Sequence, residues 1–192
     1  MGVLNRVGRG KFTLGEGKVY RPEVSLSLKS IHKKITTAFP FLKIVMWHTS
    51  VLNEFMHHQP GRFYYLVEVE KEAVDSVFYF LRDLKKTVFL VSDKGLFEKY
   101  LPEKGEVFLV KTLVSEAPVV KVDGVDTISI EKMLVDLFCD KIVFEAQQGR
   151  EMQMIFRESF SKYTINMSKM LRYAGRRRKK EDFEKFINSA TR

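Results

Sequence analysis

Arg62-Phe63-Tyr64-Tyr65-Leu66-Val67-Glu68-Val69-Glu70 alternates with the period of a β-strand, setting Phe63, Tyr65, Val67 and Val69 against Tyr64, Leu66, Glu68 and Glu70. Directly after it, Val74, Val77, Phe78 and Leu81 recur at helical spacing. A buried strand over Thr87–Val91, a helix over Asp93–Leu101 and another strand over Glu106–Thr112 continue the pattern. Upstream, Leu28, Ile31, Ile35 and Phe39 form a helix stripe stopped by Pro40. Phe41–Trp47 then reads as a strand and Ser50–Met56 as a short helix with Val51, Leu52 and Phe55 inward. Repeated strand–helix–strand steps predict an α/β fold around a central mixed β-sheet with flanking helices and some parallel pairing.

The flanks add two pieces. At the amino end, Val3–Val7 and Lys11–Leu14 around Gly8-Arg9-Gly10 predict a β-hairpin with a basic tip at Arg6, Arg9 and Lys11. A lone hairpin is marginal in water, so it must pack on something. At the carboxy end, Val119–Ile128 predicts a second hairpin turning at Asp123-Gly124. It leads into a helix with the stripe Ile130, Met133, Leu134, Leu137 and Phe138. Helices carrying Met152, Ile155, Phe156 and Phe160, and later Phe183, Phe186 and Ile187, complete a C-terminal helical bundle.

Between Ser159 and Lys180 lie eight Lys or Arg residues and no Asp or Glu. With Asn166 as N-cap, this run forms an amphipathic helix. Met167, Met170, Leu171 and Ala174 make one stripe; Lys169, Arg172, Tyr173, Arg176 and Lys180 make another, with Arg177 and Arg178 nearby. Arginine suits bidentate phosphate contacts. Lys169, Arg172, Arg176, Arg177 and Arg178, with Arg6, Arg9 and Lys11, are therefore the expected double-stranded DNA contacts. The competing interpretation is a solvated helix end whose cations favour the helix dipole.

A chain of 192 residues with 45% hydrophobic content can build one core, and no apolar run reaches the roughly 18 residues of a membrane span. Met1 is not followed by a signal-peptide apolar region, so an intracellular, cytoplasmic protein is expected. The single Cys139 excludes an intrachain disulfide and a multi-cysteine zinc site, and its apolar helix suggests an inert thiol. Charge is layered: residues 1–43 carry net +7, residues 44–158 net −5 and residues 159–192 net +7. Both ends are expected to meet a polyanion and the middle a basic protein. Trp47, Phe55 and Met56, just past a predicted strand end, are assigned as apolar anchors for that partner.

Familiar catalytic constellations are missing. His48, His57 and His58 lack metal-ligand spacing. No phosphate-binding Gly-rich loop, Gly-x-Ser-x-Gly elbow or Gly-Ser step followed by Asp-x-Asp is present. Glu68 and Glu70 share a strand face with Lys71 adjacent, which keeps a metal-dependent nuclease as the alternative from another class. A structural interaction protein is the third.

Three landmarks together resemble AbiEi-type antitoxins of bacterial type IV toxin–antitoxin (abortive-infection) systems. They are Arg6-Val7-Gly8-Arg9-Gly10-Lys11-Phe12, the segment Thr127-Ile128-Ser129-Ile130-Glu131-Lys132-Met133-Leu134-Val135-Asp136-Leu137, and Leu171-Arg172-Tyr173-Ala174-Gly175-Arg176-Arg177. The resemblance covers most of the chain in layout. It implies a winged helix-turn-helix that represses its own operon and a second domain that helps neutralise a nucleotidyltransferase toxin. The helices that would precede the wing are not in this sequence, so operator recognition by it alone is not expected. Residues 1–23 would be the wing-like hairpin and connector, and residues 24–192 the antitoxin-like α/β domain. The expected activity is binding rather than catalysis: no cofactor, no metal, a toxin and DNA as partners, no membrane, and a homodimer left open.

Overall fold

A computed structural model of the chain describes residues 3–8, 11–15, 18–58, 60–91 and 105–190, the first two segments as backbone strands. The predicted helix over Asp93–Leu101 lies outside the described residues, as does Arg9. Strands β1 (Val3–Gly8) and β2 (Lys11–Gly15) pair antiparallel, with Arg6 opposite Phe12 and an irregularity between Arg6 and Gly8.

The central sheet has four strands: β3 (Ile44–His48), β4 (Tyr64–Val69), β5 (Thr87–Leu90) and β6 (Val107–Thr112), in the order β3-β4-β6-β5. β6 runs parallel to both β4 and β5, and β3 is antiparallel to β4. The sheet is mixed, as the strand–helix alternation predicts. Between β3 and β4, Thr49–Phe55 forms a short 3-10 helix that buries Leu52 and Phe55. Helices α1 (Leu26–Ala38) and α2 (Val74–Asp83) cover one sheet face, packing Leu28, Ile35, Val77 and Leu81 on Met46, Val67 and Phe108. Ser25 caps α1 by accepting from the Leu28 N–H at 3.2 Å.

The opposite face carries Trp47, Leu66 and Leu109 and receives the C-terminal helices. A second hairpin, β7 (Val119–Val122) and β8 (Val125–Ile128), turns at Asp123 and Gly124, both with positive φ of 51° and 83°. This is the backbone that an Asp-Gly pair favours. Ser129 then caps α3 (Ile130–Cys139), accepting from the Lys132 N–H at 3.3 Å. Around α3 lie α4 (Arg150–Lys162), α5 (Met167–Arg176) and α6 (Lys180–Ala190). The β1–β2 hairpin packs on α4 and α5. Leu134, fully buried on α3, sits in this larger core. Leu134→Ala is expected to cost about 2–5 kcal/mol in chemical denaturation. A loss under about 1 kcal/mol would remove α3 from the core.

Candidate nucleic-acid interface

The basic stretch is organised from below. α3 is buried over Ile130 to Leu137, including the charged Glu131, Lys132 and Asp136. Lys132 Nζ donates to Glu68 Oε1 at 2.6 Å and to Asp136 Oδ2, four residues on along the same helix. Glu68 faces Lys111 across the β4–β6 ladder, with Lys111 Nζ 3.9 Å from its second oxygen, and Trp47 Nε1–H donates to Glu68 at 3.1 Å. Lys111 also donates to Asp140 Oδ2 at 2.6 Å.

Onto this plate α5 is bolted by two residues. The Tyr173 hydroxyl donates to Asp136 Oδ1 at 2.8 Å. Arg177 forks between Asp136 at 2.9 Å and Asp140 at 2.5 Å, with its side chain only 13% exposed. The cluster joins Glu68, Asp136 and Asp140 to Lys111, Lys132 and Arg177, so its carboxylates and cations balance. Burial alone would raise the pKa of Asp136, but Lys132, Lys111 and Arg177 outweigh it and hold the carboxyl well below its usual range. Burial would lower Lys132, yet Asp136 and Glu68 outweigh that and raise it. Burial, then the Asp136 charge, pushes the Tyr173 phenol upward. At the other end of α5, Glu131 Oε1 accepts the Asn166 N–H at 3.0 Å, and the Asn166 side chain caps the Lys169 N–H.

Arg177 and Tyr173 are thus corrected. Neither lies on an outward basic face, because each is spent on buried carboxylates. The helix also ends earlier than an unbroken 166–180 run would. Arg178 takes a left-handed φ of 55°, while the Arg178 and Lys179 N–H groups return to Gly175 and Ala174. This closure is a Schellman turn, with arginine where glycine is the usual choice. Lys180 accordingly belongs to the next helix.

What remains outward on and just beyond α5 is Lys169, Arg172, Arg176, Arg178 and Lys179. Arg172 and Arg176 share one carboxylate, Glu116, at 3.8 Å for Arg172 and closer for Arg176. β1, the strand bearing Arg6, packs beside α5, whereas β2, bearing Lys11, packs on α4.

The apolar anchors are corrected too. Trp47 is 1% exposed, stacked on Phe144 with centroids 5.8 Å apart, and Phe55 is equally buried, so neither can reach a partner. Of the three, Met56 alone keeps partial exposure. The strand end offered no surface because the C-terminal helices close over it. The net −5 of residues 44–158 likewise overstates an acidic surface, since Glu68, Glu131, Asp136 and Asp140 turn inward. The nuclease pair does not assemble: Glu68 is fully buried while Glu70 is exposed past the end of β4. Among the described residues no group of three or more His, Cys, Asp or Glu could hold a metal ion. His48 hydrogen-bonds Ser50 and lies against Tyr65, and burial lowers its pKa. Cys139 is half-buried, and burial pushes its thiol up to about 11, as an inert thiol requires.

The connector before α1 also differs from a free linker. Tyr20 is buried against Phe55 and Tyr163, and the Thr164 N–H donates to the Lys18 carbonyl at 3.0 Å. Among the described residues no helix is long and apolar enough to cross a membrane. No curated protein and no solved structure gives a significant match to the chain. One family model does, across residues 1–192, and the chain belongs to that family, a family of unknown function designated DUF6577.

Proposed function

We propose that this chain is a DNA-contacting regulatory protein of the antitoxin type, acting in the cytoplasm and neutralising a nucleotidyltransferase-like toxin. The observation that carries the DNA part is the row Lys169, Arg172, Arg176 and Arg178 on a helix whose underside is held by Tyr173 and Arg177. Fixing the helix lowers the ordering cost of presenting several cations to one phosphate backbone. β1, which bears Arg6, packs beside that helix. The antitoxin part rests on the resemblance of the three motifs, two of which meet in the buried cluster through Lys132, Asp136, Tyr173 and Arg177. The role is binding rather than catalysis, because the cations and carboxylates of that cluster neutralise one another.

The quadruple variant Lys169→Ala/Arg172→Ala/Arg176→Ala/Arg178→Ala should weaken binding to unrelated duplexes alike. It should also flatten the dependence of log K on log salt by about 0.9 for each phosphate that the variant no longer neutralises. An unchanged slope, measured by fluorescence anisotropy between low and moderate salt, removes this row from DNA binding. The toxin part is tested by co-purification with the product of the neighbouring gene. Rescue of growth from that product, retained in the quadruple variant, is the expected result. Absence of any complex overturns it.

A further inference from the structure

Across the sheet from the basic helix, α1 and α2 leave a groove of about 520 Å³ between them, far from α5. Thr37, Ala38, Phe80 and Leu84 line it with little polar surface, and Lys33 and Lys34 stand on the α1 side. An edge-to-face contact between Phe39 and Phe80, with centroids 5.5 Å apart, stiffens its base. From Leu26 to Ala38, α1 contains no acidic residue. Lys29 is already tied to Asp123 at 2.6 Å, whereas Lys33 and Lys34 are exposed and pair with no carboxylate among the described residues. Just past α1, Phe41 is 100% exposed, and Tyr79 on α2 is 60% exposed. An apolar groove rimmed by unpaired cations marks a surface for a partner.

We propose that this groove receives an acidic amphipathic helix of a protein partner, with its apolar stripe on Ala38, Phe80 and Leu84 and its carboxylates on Lys33 and Lys34. The α1 residues that line the groove run from Ser30 to Ala38, about 12 Å of helix, enough for an i, i+3, i+4, i+7 stripe. Complementary charge selects the partner: a basic helix would meet Lys33 and Lys34 head-on. A second copy docked by two-fold symmetry would bring its own Lys33 and Lys34 to the same contact, which disfavours self-association here. The proposal goes beyond the DNA reading and does not depend on it, since the two surfaces lie on opposite faces of the sheet.

The probe is a fluorescein-labelled helical peptide of ~14 residues with leucines at i, i+3, i+4 and i+7 and glutamates on its flanks, titrated with the full chain. A twin peptide carries lysines in place of the glutamates. Saturable binding of the acidic peptide is expected, at least about tenfold tighter than that of its basic twin. Lys33→Glu/Lys34→Glu should abolish that preference, and Ala38→Trp, which fills the groove, should weaken the acidic peptide at least about tenfold. Both variants alter exposed positions, and an unchanged thermal melt certifies their fold. Equal binding of the two peptides, or indifference to Ala38→Trp, overturns the proposal. So does a concentration-dependent dimer that Ala38→Trp abolishes, which makes the occupant a second copy. Binding to phosphatidylserine vesicles that the acidic peptide does not displace, but that Lys33→Glu/Lys34→Glu abolishes, also overturns it.

Discussion

Lys132→Met is expected to lower the free energy of unfolding by about 3–5 kcal/mol, because it leaves Glu68 and Asp136 buried with too little compensating charge. The size follows from desolvation: both carboxylates are fully buried, so neither can replace its missing partner with water. Adding Glu68→Gln to Lys132→Met restores the charge balance and should recover more than half of the loss. Urea denaturation at neutral pH measures both. A loss under about 1 kcal/mol in the single variant would mean that water reaches the cluster. The pH dependence has a definite sign. Asp136 has a depressed pKa in the folded chain, so its contribution is complete above the ordinary aspartate value of about 3.9. That contribution is lost as the pH falls below this value. Lys132 is raised, so its contribution is complete below about 10.4 and is lost as the pH rises beyond that. The contribution of this ion pair should therefore be level from about pH 5 to 10, and Lys132→Met should remove its share of the alkaline fall.

Trp47→Ala should cost about 3–5 kcal/mol and act through the fold rather than through any partner. The indole fills space between β3 and the C-terminal helices, stacks on Phe144 and satisfies Glu68 with its N–H. Trp47→Phe keeps much of the volume but drops the donor, so about 1–3 kcal/mol is expected from the carboxylate it leaves short. Trp47 is the only tryptophan, so wild-type fluorescence reports this site alone. Blue-shifted emission shielded from iodide, lost on unfolding in urea, is the expected signature. Circular dichroism serves for the variants. If Trp47→Ala keeps wild-type stability yet weakens a protein complex, the indole is a surface anchor and its place in the core is refuted.

These outcomes bear on how much could be read without the fold. Periodicity was enough for the sheet and the helices, because alternation over 62–70 and the stripe over Ile130–Phe138 each have one low-energy way to bury themselves. Local chemistry was enough for the ends: Ser129 and Asn166 cap the helices they precede, and Asp123-Gly124 turns the hairpin. The outward cations Lys169, Arg172 and Arg176 also follow from helical spacing alone.

Sequence by itself thus determined the α/β class, most of the described elements and the presence of a basic helix, because their signals lie in periodicities and caps a few residues long. Only the tertiary structure decided which charges face water. Glu68, Lys111, Lys132, Asp136, Asp140 and Arg177 come from two strands, one helix and its end, and a second helix end, far apart in the chain. A charged residue enters a core only when its counter-charges arrive with it, and their arrival is a property of the assembled fold. Arg176 and Arg177 are neighbours of like chemistry, yet the turn of one helix sends the first to solvent and Glu116 and the second to buried Asp136 and Asp140. Trp47 went the other way for the same reason: a strand end is a surface only until another layer packs across it, and here α3 and its neighbours do.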